Sequence, residues 1–178
     1  LQTVFLPTIR KLGVRADIAT DRWGWAPHGV GQLRARIDGA SSLAARDLTQ
    51  RGELLQIGGT SVVNLADPGY AERQKNRATR RLHELGRPAT IQVLTVAADT
   101  HGGMLFLLAV FEKTIAGFTS IARDSVPAEA VADAAVDELR AFLSSYSVVD
   151  KHLADQLIVY AALASGTTAF STSELTRH

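Results

Sequence analysis

The run "MLFLLAVF", residues 104–111, constrains the fold more than any other stretch of the chain. Eight apolar residues in succession fall far short of the roughly 20 that a membrane-spanning helix needs, so they predict a buried strand. The neighbouring segments supply the rest of a sandwich. "ELLQIGGTSVVNLA" (53–66) is strand-like, and its Gly58-Gly59 pair suggests a bulge or bend. Asp67 and Pro68 open a helix, with proline at a tolerated early position, and "GYAERQKNRATRRLHELG" carries it to Gly86. "ATIQVLTVAA" (89–98) precedes the apolar run, a short "GFTSIA" strand (117–122) follows it, and "VPAEAVADAAVDELRAFLSSY" (126–146) forms a second helix. The order β, α, β, β, β, α predicts an α+β sandwich with helices against one face of a sheet.

Residues 49–147 thus read as a self-contained unit, with 1–48 and 148–178 as parts of another unit that it interrupts. In "TVFLPTIRKLG", Val4, Phe5, Ile9 and Leu12 recur at helical spacing before Gly13, which suits a left-handed cap. "VRADIATDR" and "GQLRARIDG" alternate apolar and polar residues and read as half-buried strands. The small, polar stretch "GASSLAARDLTQRG" (39–52) then marks a crossover. With 178 residues, 46% of them hydrophobic, the chain suits one full-sized domain or two small ones. Neither terminus carries a signal-peptide pattern or a closing element, and both read as cut from a longer polypeptide.

The net charge of +1 supplies no large positive field for sequence-independent nucleic-acid binding. The absence of cysteine excludes disulfides, thiolate catalysis and the usual structural zinc sites, and suits a reducing, cytoplasmic setting. No P-loop, HExxH or GxSxG occurs.

"VVDKHLADQLIVYAALASG" (148–166) reads as a helix capped by Asp150 and closed by a glycine. Its spacing sets His152 beside Asp155 and Gln156 on one face, and leaves Leu153, Leu157, Ile158, Ala161 and Ala162 for the buried side. The amides and the positive dipole end at this terminus favour an anion such as a phosphate, while a capped surface helix fits the same spacing. In the loop "RWGWAPHGVG", Gly29 and Gly31 allow close approach of a substrate backbone and Arg22 can pair with a phosphate; an aromatic-packed turn is the plainer account. His28 reads as a turn residue and His101 as part of a hairpin loop. The arginines of the 69–86 helix read as a solvated charged face rather than an RNA contact. Spacing alone assigns nothing to His178.

"HLADQLIVYAALASGTTAFSTSELTRH" (152–178) resembles the C-terminal catalytic stretch of RNA 3'-terminal phosphate cyclases. That family carries a Tyr-Leu-Ala-Asp-Gln-Leu type motif, then an apolar helix, then a strand leading to a histidine that becomes adenylated. "RWGWAPHGVGQL" is similar to its arginine, aromatic, proline and glycine loop, and "LTQRGELLQIGG" to the start of the insert module these enzymes carry. The resemblance implies a large domain of βαβαββ repeats interrupted by a small α/β-sandwich insert domain: 1–48 and 148–178 belong to the former and 49–147 to the latter. It also implies that the family's glycine-rich N-terminal motif, with other ATP contacts, is missing here.

By the same resemblance, His178 is the nucleophile that attacks ATP, and His152, Leu153, Ala154, Asp155 and Gln156 form the adenylate-binding stretch. The implied substrates are ATP and an RNA with a 3'-terminal phosphate, converted to a 2',3'-cyclic phosphate, with a divalent metal, Mg or Mn, on the ATP phosphates. Two departures stand out. "GVG" with Val30 replaces the usual glycine triplet, and His152 stands where the family often has a tyrosine that stacks on adenine. The competing reading is a non-catalytic relative that acts as a binding factor in ribosome assembly.

Overall fold

The computed structural model describes residues 1–40, 42–64, 69–122 and 126–176. Asp67 and Pro68, expected to open a helix, and His178 lie outside the described residues. In chain order the elements are α1 (Phe5–Lys11), β1 (Arg15–Arg22), β2 (Gln32–Asp38), and the two-residue strands β3 (Leu43–Ala44) and β4 (Asp47–Leu48). There follow β5 (Leu54–Asn64), α2 (Gly69–Glu84), β6 (Ala89–Thr95), β7 (Gly102–Phe111), β8 (Ile115–Ala122) and α3 (Ala128–Ser144). The chain continues through α4 (Lys151–Leu163), β9 (Ala164–Ser165) and β10 (Ala169–Phe170). No helix among the described residues is long and apolar enough to cross a membrane.

The apolar run lies in β7, at the inside of a four-stranded sheet ordered β6-β5-β7-β8. Parallel neighbours need a crossover, and α2 supplies it between β5 and β6; β7 is antiparallel to both β5 and β8. Every second residue of β7, Leu105, Leu107, Ala109 and Phe111, is buried against Ala78 and Leu82 of α2 and Val131, Ala135 and Leu139 of α3. The helices cover one face, as the element order predicts.

Within this unit, local expectations fail in three places. Gly58-Gly59 makes no bulge: the register runs unbroken through Gly58↔Leu108 and Gly59↔Leu107, and shifts instead between Leu54 and Gln56. Close packing explains the glycine at 59, because a Cβ there would lie 2.6 Å from the Phe106 carbonyl oxygen. His101 is not in a hairpin, since β6 and β7 are not neighbours; it follows a crossing from the sheet edge, and its Nδ1 lies 3.3 Å from the Asn64 carbonyl oxygen. The basic α2 is a solvated face at Arg73 and Arg80, as expected, but an inter-helix seam at Arg77 and Arg81. Arg77 forks onto Asp133 at 2.7 and 2.9 Å, and Arg81 reaches both Asp133 and Asp137. These bonds hold the Asp133 carboxyl below the usual aspartate range.

A second core joins the two ends of the sequence: Leu6, Ile9 and Leu12 meet Val148, Val149, Leu153, Ala154 and Leu157, with Leu48 between them. The segments that flank the four-stranded unit also pair directly, β3 with β9 and β4 with β10, both parallel. Gly13 takes φ +103°, the left-handed conformation that its position after the first helix predicts. β1 and β2 pair antiparallel, but the expected half-burial fails for β2, which is exposed along its whole length, with Ile37 75% accessible. Likewise Ile158 and Ala162 of α4 are exposed. They follow Asp155 on a helical stripe turned away from α1, and no described residue covers it. The helix also stops at Leu163, before Gly166, because Ala164 and Ser165 turn into the pairing with β3.

The loop between β1 and β2 folds onto the start of β7. Trp23 stacks on Trp25 at 5.7 Å and bridges to Ala98, while Thr100 Oγ1 accepts from the Trp25 amide at 3.2 Å. Trp25 is buried over Gly102, where a Cβ would overlap the Cβ, Cγ and Cδ2 atoms of the tryptophan. Gly102→Ala is therefore expected to destabilise by about 1–3 kcal/mol through overpacking, read by urea denaturation of the full-length protein.

Candidate functional site

The site is built on the first turns of α4. Asp150 caps the helix: its Oδ1 accepts from the Leu153 amide at 2.8 Å and its Oδ2 from the Gly117 amide of β8 at 3.3 Å. The helix terminus is thus already served by an anion of its own chain. Two of the amides that could meet the expected phosphate are used within the chain, that of Leu153 by the Asp150 side chain and that of Ala154 by its carbonyl.

Burial pushes the Asp150 carboxyl above the usual aspartate range, offset in part by the Leu153 and Gly117 amides and by His152. A raised value in the fold favours the protonated form there relative to the unfolded chain. The contribution of Asp150 to stability is therefore fullest below the ordinary aspartate range and is lost as pH rises through the raised value. Asp150→Asn is expected to remove that component of the pH dependence, leaving the opposite trend of carboxylates held low such as Asp133, with a loss of about 1 kcal/mol for the bond an amide NH2 cannot accept. Urea denaturation at a series of acidic pH values reads both effects.

The residues from 152 to 156 divide by side. Leu153 and Ala154 are buried in the core against α1, so their side chains face no solvent. His152 and Gln156 line an open cleft of about 590 Å³ between β1–β2 and the bare face of β7–β8, whose walls include Trp23, Leu33, Phe106 and Thr119. Asp155 turns the other way, and its Oδ1 accepts from Thr176 Oγ1 at 3.0 Å. Thr176 is the last described residue before His178, so Asp155 is tied to the segment that leads to it. The expected single face is therefore two: a histidine and an amide toward the cleft, a carboxylate toward the C-terminal segment.

Three contacts found here have no signal in the local sequence. His152 Nε2 lies 3.1 Å from Glu138 Oε1 of α3, and Lys151 Nζ lies 3.6 Å from the same oxygen and 3.5 Å from Glu174. Glu138 looks like one more polar residue on a helix; only the tertiary packing of α3 beside α4 brings it to position 152.

The other expected residues stand apart from α4. Arg22, at the end of β1, lies 3.8 Å from Asp99, a long surface pairing that leaves its side chain half exposed. Gly29 answers to its own loop: a Cβ there would overlap the Trp25 amide and Thr100 Oγ1. Gly31 passes near Gly24, where a Cβ would lie 3.4 Å from the Gly24 amide nitrogen. His28 lies in a turn and is exposed. Among the described residues no group of three or more histidine, aspartate or glutamate side chains gathers as a metal site. A metal bridging the phosphates of a nucleotide takes much of its coordination from phosphate oxygens and water, and needs no such cluster.

Comparison with known proteins adds the wider frame. The family model described as RTC, RNA 3'-terminal phosphate cyclase, matches residues 1–178. A protein named RNA 3'-terminal phosphate cyclase from Nostoc punctiforme is 33% identical over the whole of this chain and 51% of its own length. Proteins of the same name from Methylococcus capsulatus and Pseudomonas fluorescens are 35% and 36% identical over the whole of this chain, and 50% and 51% of theirs. The chain spans about half the length of the curated relatives it matches.

Proposed function

Because the chain belongs to the RNA 3'-terminal phosphate cyclase family, we propose that it carries part of the catalytic machinery of an ATP-dependent cyclase acting on RNA 3'-phosphate ends. The observation that carries this reading is the full-length family match; the division of α4 supports it. A cleft-facing His152 and Gln156 suit a nucleotide's base and sugar, and Asp155 is held beside the segment leading to His178. In the same reading 49–147 is the insert domain. Residues 1–48 and 148–178 belong to the large domain of βαβαββ repeats, a division supported by the two separate cores. A cytoplasmic location fits the cysteine-free sequence.

The chemistry splits one difficult substitution into three. A ring nitrogen of His178 attacks the α-phosphorus of ATP; the bond to the pyrophosphate oxygen breaks, pyrophosphate leaves, and the ring sheds its proton. An oxygen of the RNA 3'-phosphate then attacks the same phosphorus, breaks the P–N bond and takes the AMP. Finally the adjacent 2'-hydroxyl, losing its proton, attacks the 3'-phosphorus and expels AMP, which closes the 2',3'-cyclic phosphate. His152 and Gln156 contribute by holding the nucleotide, the histidine ring offering a face on which adenine stacks. The glycine loop acts indirectly, by seating Trp23 at the cleft wall.

Intact-mass analysis of the full-length protein after incubation with ATP and a divalent metal tests the reading. An acid-labile AMP adduct is the expected result. An unmodified mass, with ATP binding shown separately, would overturn it in favour of the non-catalytic binding factor.

A further inference from the structure

We infer that Glu138, on α3, is a positioning residue for nucleotide binding, acting through His152; the inference rests on the proposed role of His152 at the cleft. A carboxylate only accepts, so the 3.1 Å contact places a proton on His152 Nε2 and commits that nitrogen to Glu138. The contact fixes the ring's rotation, which an exposed imidazole with 61% accessibility otherwise samples freely. Glu138 is itself held, with 27% side-chain accessibility, and it receives Lys151 on the same oxygen. Lys151 in turn is shared with Glu174, so the ring is anchored in a four-residue charge network that spans α3, α4 and the C-terminal segment. Ordering the imidazole before the nucleotide arrives removes an entropy loss from binding.

The Kd of ATP for the full-length protein, measured by calorimetry, tests this with four variants: Glu138→Leu, Glu138→Gln, His152→Ala, and Glu138→Leu combined with His152→Ala. Glu138→Leu is expected to weaken ATP about tenfold, and Glu138→Gln, whose amide oxygen still accepts from Nε2, to stay within about twofold of wild type. In the His152→Ala background, Glu138→Leu is expected to have no further effect, an outcome that a merely structural role for Glu138 does not give. Unchanged ATP binding in His152→Ala would overturn the reading of the site itself. Weakened binding in His152→Ala with wild-type binding in Glu138→Leu would overturn the positioning role alone.

Discussion

Full-length protein in which asparagine replaces His178 is expected to take up no AMP, however long it is incubated with ATP. The argument is one of electrons. An imidazole ring nitrogen offers a lone pair in the ring plane that can form a P–N bond, whereas the amide nitrogen of asparagine has its pair delocalised into the carbonyl. Asparagine otherwise keeps a polar side chain of similar reach, so ATP binding should stay near wild type and serves as the internal control. Loss of the adduct with binding retained locates the nucleophile. An adduct that persists would mean that another side chain attacks, and Asp155, tied to Thr176, would be the next to examine.

The second large effect concerns stability. Arg51→Ala is expected to lower the unfolding free energy by about 3–5 kcal/mol, read by urea denaturation. Its guanidinium donates to the carbonyl oxygens of Phe142 at 3.2 Å, Leu143 at 3.1 Å and Ser147 at 3.1 Å. The first two belong to the last turn of α3, where the dipole favours a cation, and the Phe142 carbonyl also accepts from the Ser145 amide and hydroxyl. The same group lies 5.1 Å from the Phe111 ring centroid and 5.3 Å from that of Phe142. Burial pulls the guanidinium below its ordinary value, which nonetheless lies so far above neutrality that the charge is kept. Truncation removes three charge-assisted bonds together with the contacts to the two phenylalanine rings. Arg51→Lys is expected to recover only part of the loss, since a single ammonium cannot span the fork.

What the sequence made legible follows the range of the interactions. The helices and strands of the four-stranded unit came from periodicity, because the side chains of one element lie on one covered face and the pattern is local. Asp150 was legible for the same reason: a cap is a contact three residues long. Arg51 was not, because its partners are about 90 residues away and nothing beside it in the chain marks them. Glu138 was hidden in the same way. The exposed β2 and the outer stripe of α4 show the opposite failure. Alternation says that a face is apolar, not that something covers it, and no described residue covers Ile37 or Ile158. For the site, family resemblance singled out 152–156, but only packing separates the two buried members from the three that reach solvent or the C-terminal segment.

The pairing of β4 with β10 has a thermodynamic side. Two residues on each strand make a very short parallel ladder, yet about 120 residues of chain separate them. Loop-closure entropy grows with the length of flexible chain, and so small a ladder returns little against it. The intervening four-stranded unit changes that balance. Once folded, its entry and exit are clasped together by Arg51 and by Thr114 Oγ1, which donates to the Val148 carbonyl, so most of the intervening chain ceases to be a flexible loop. What remains to be ordered is α4 and the short flanks. The four-stranded unit thus works as a staple in the backbone, and a lesion in its core is felt at β4 and β10 without touching either.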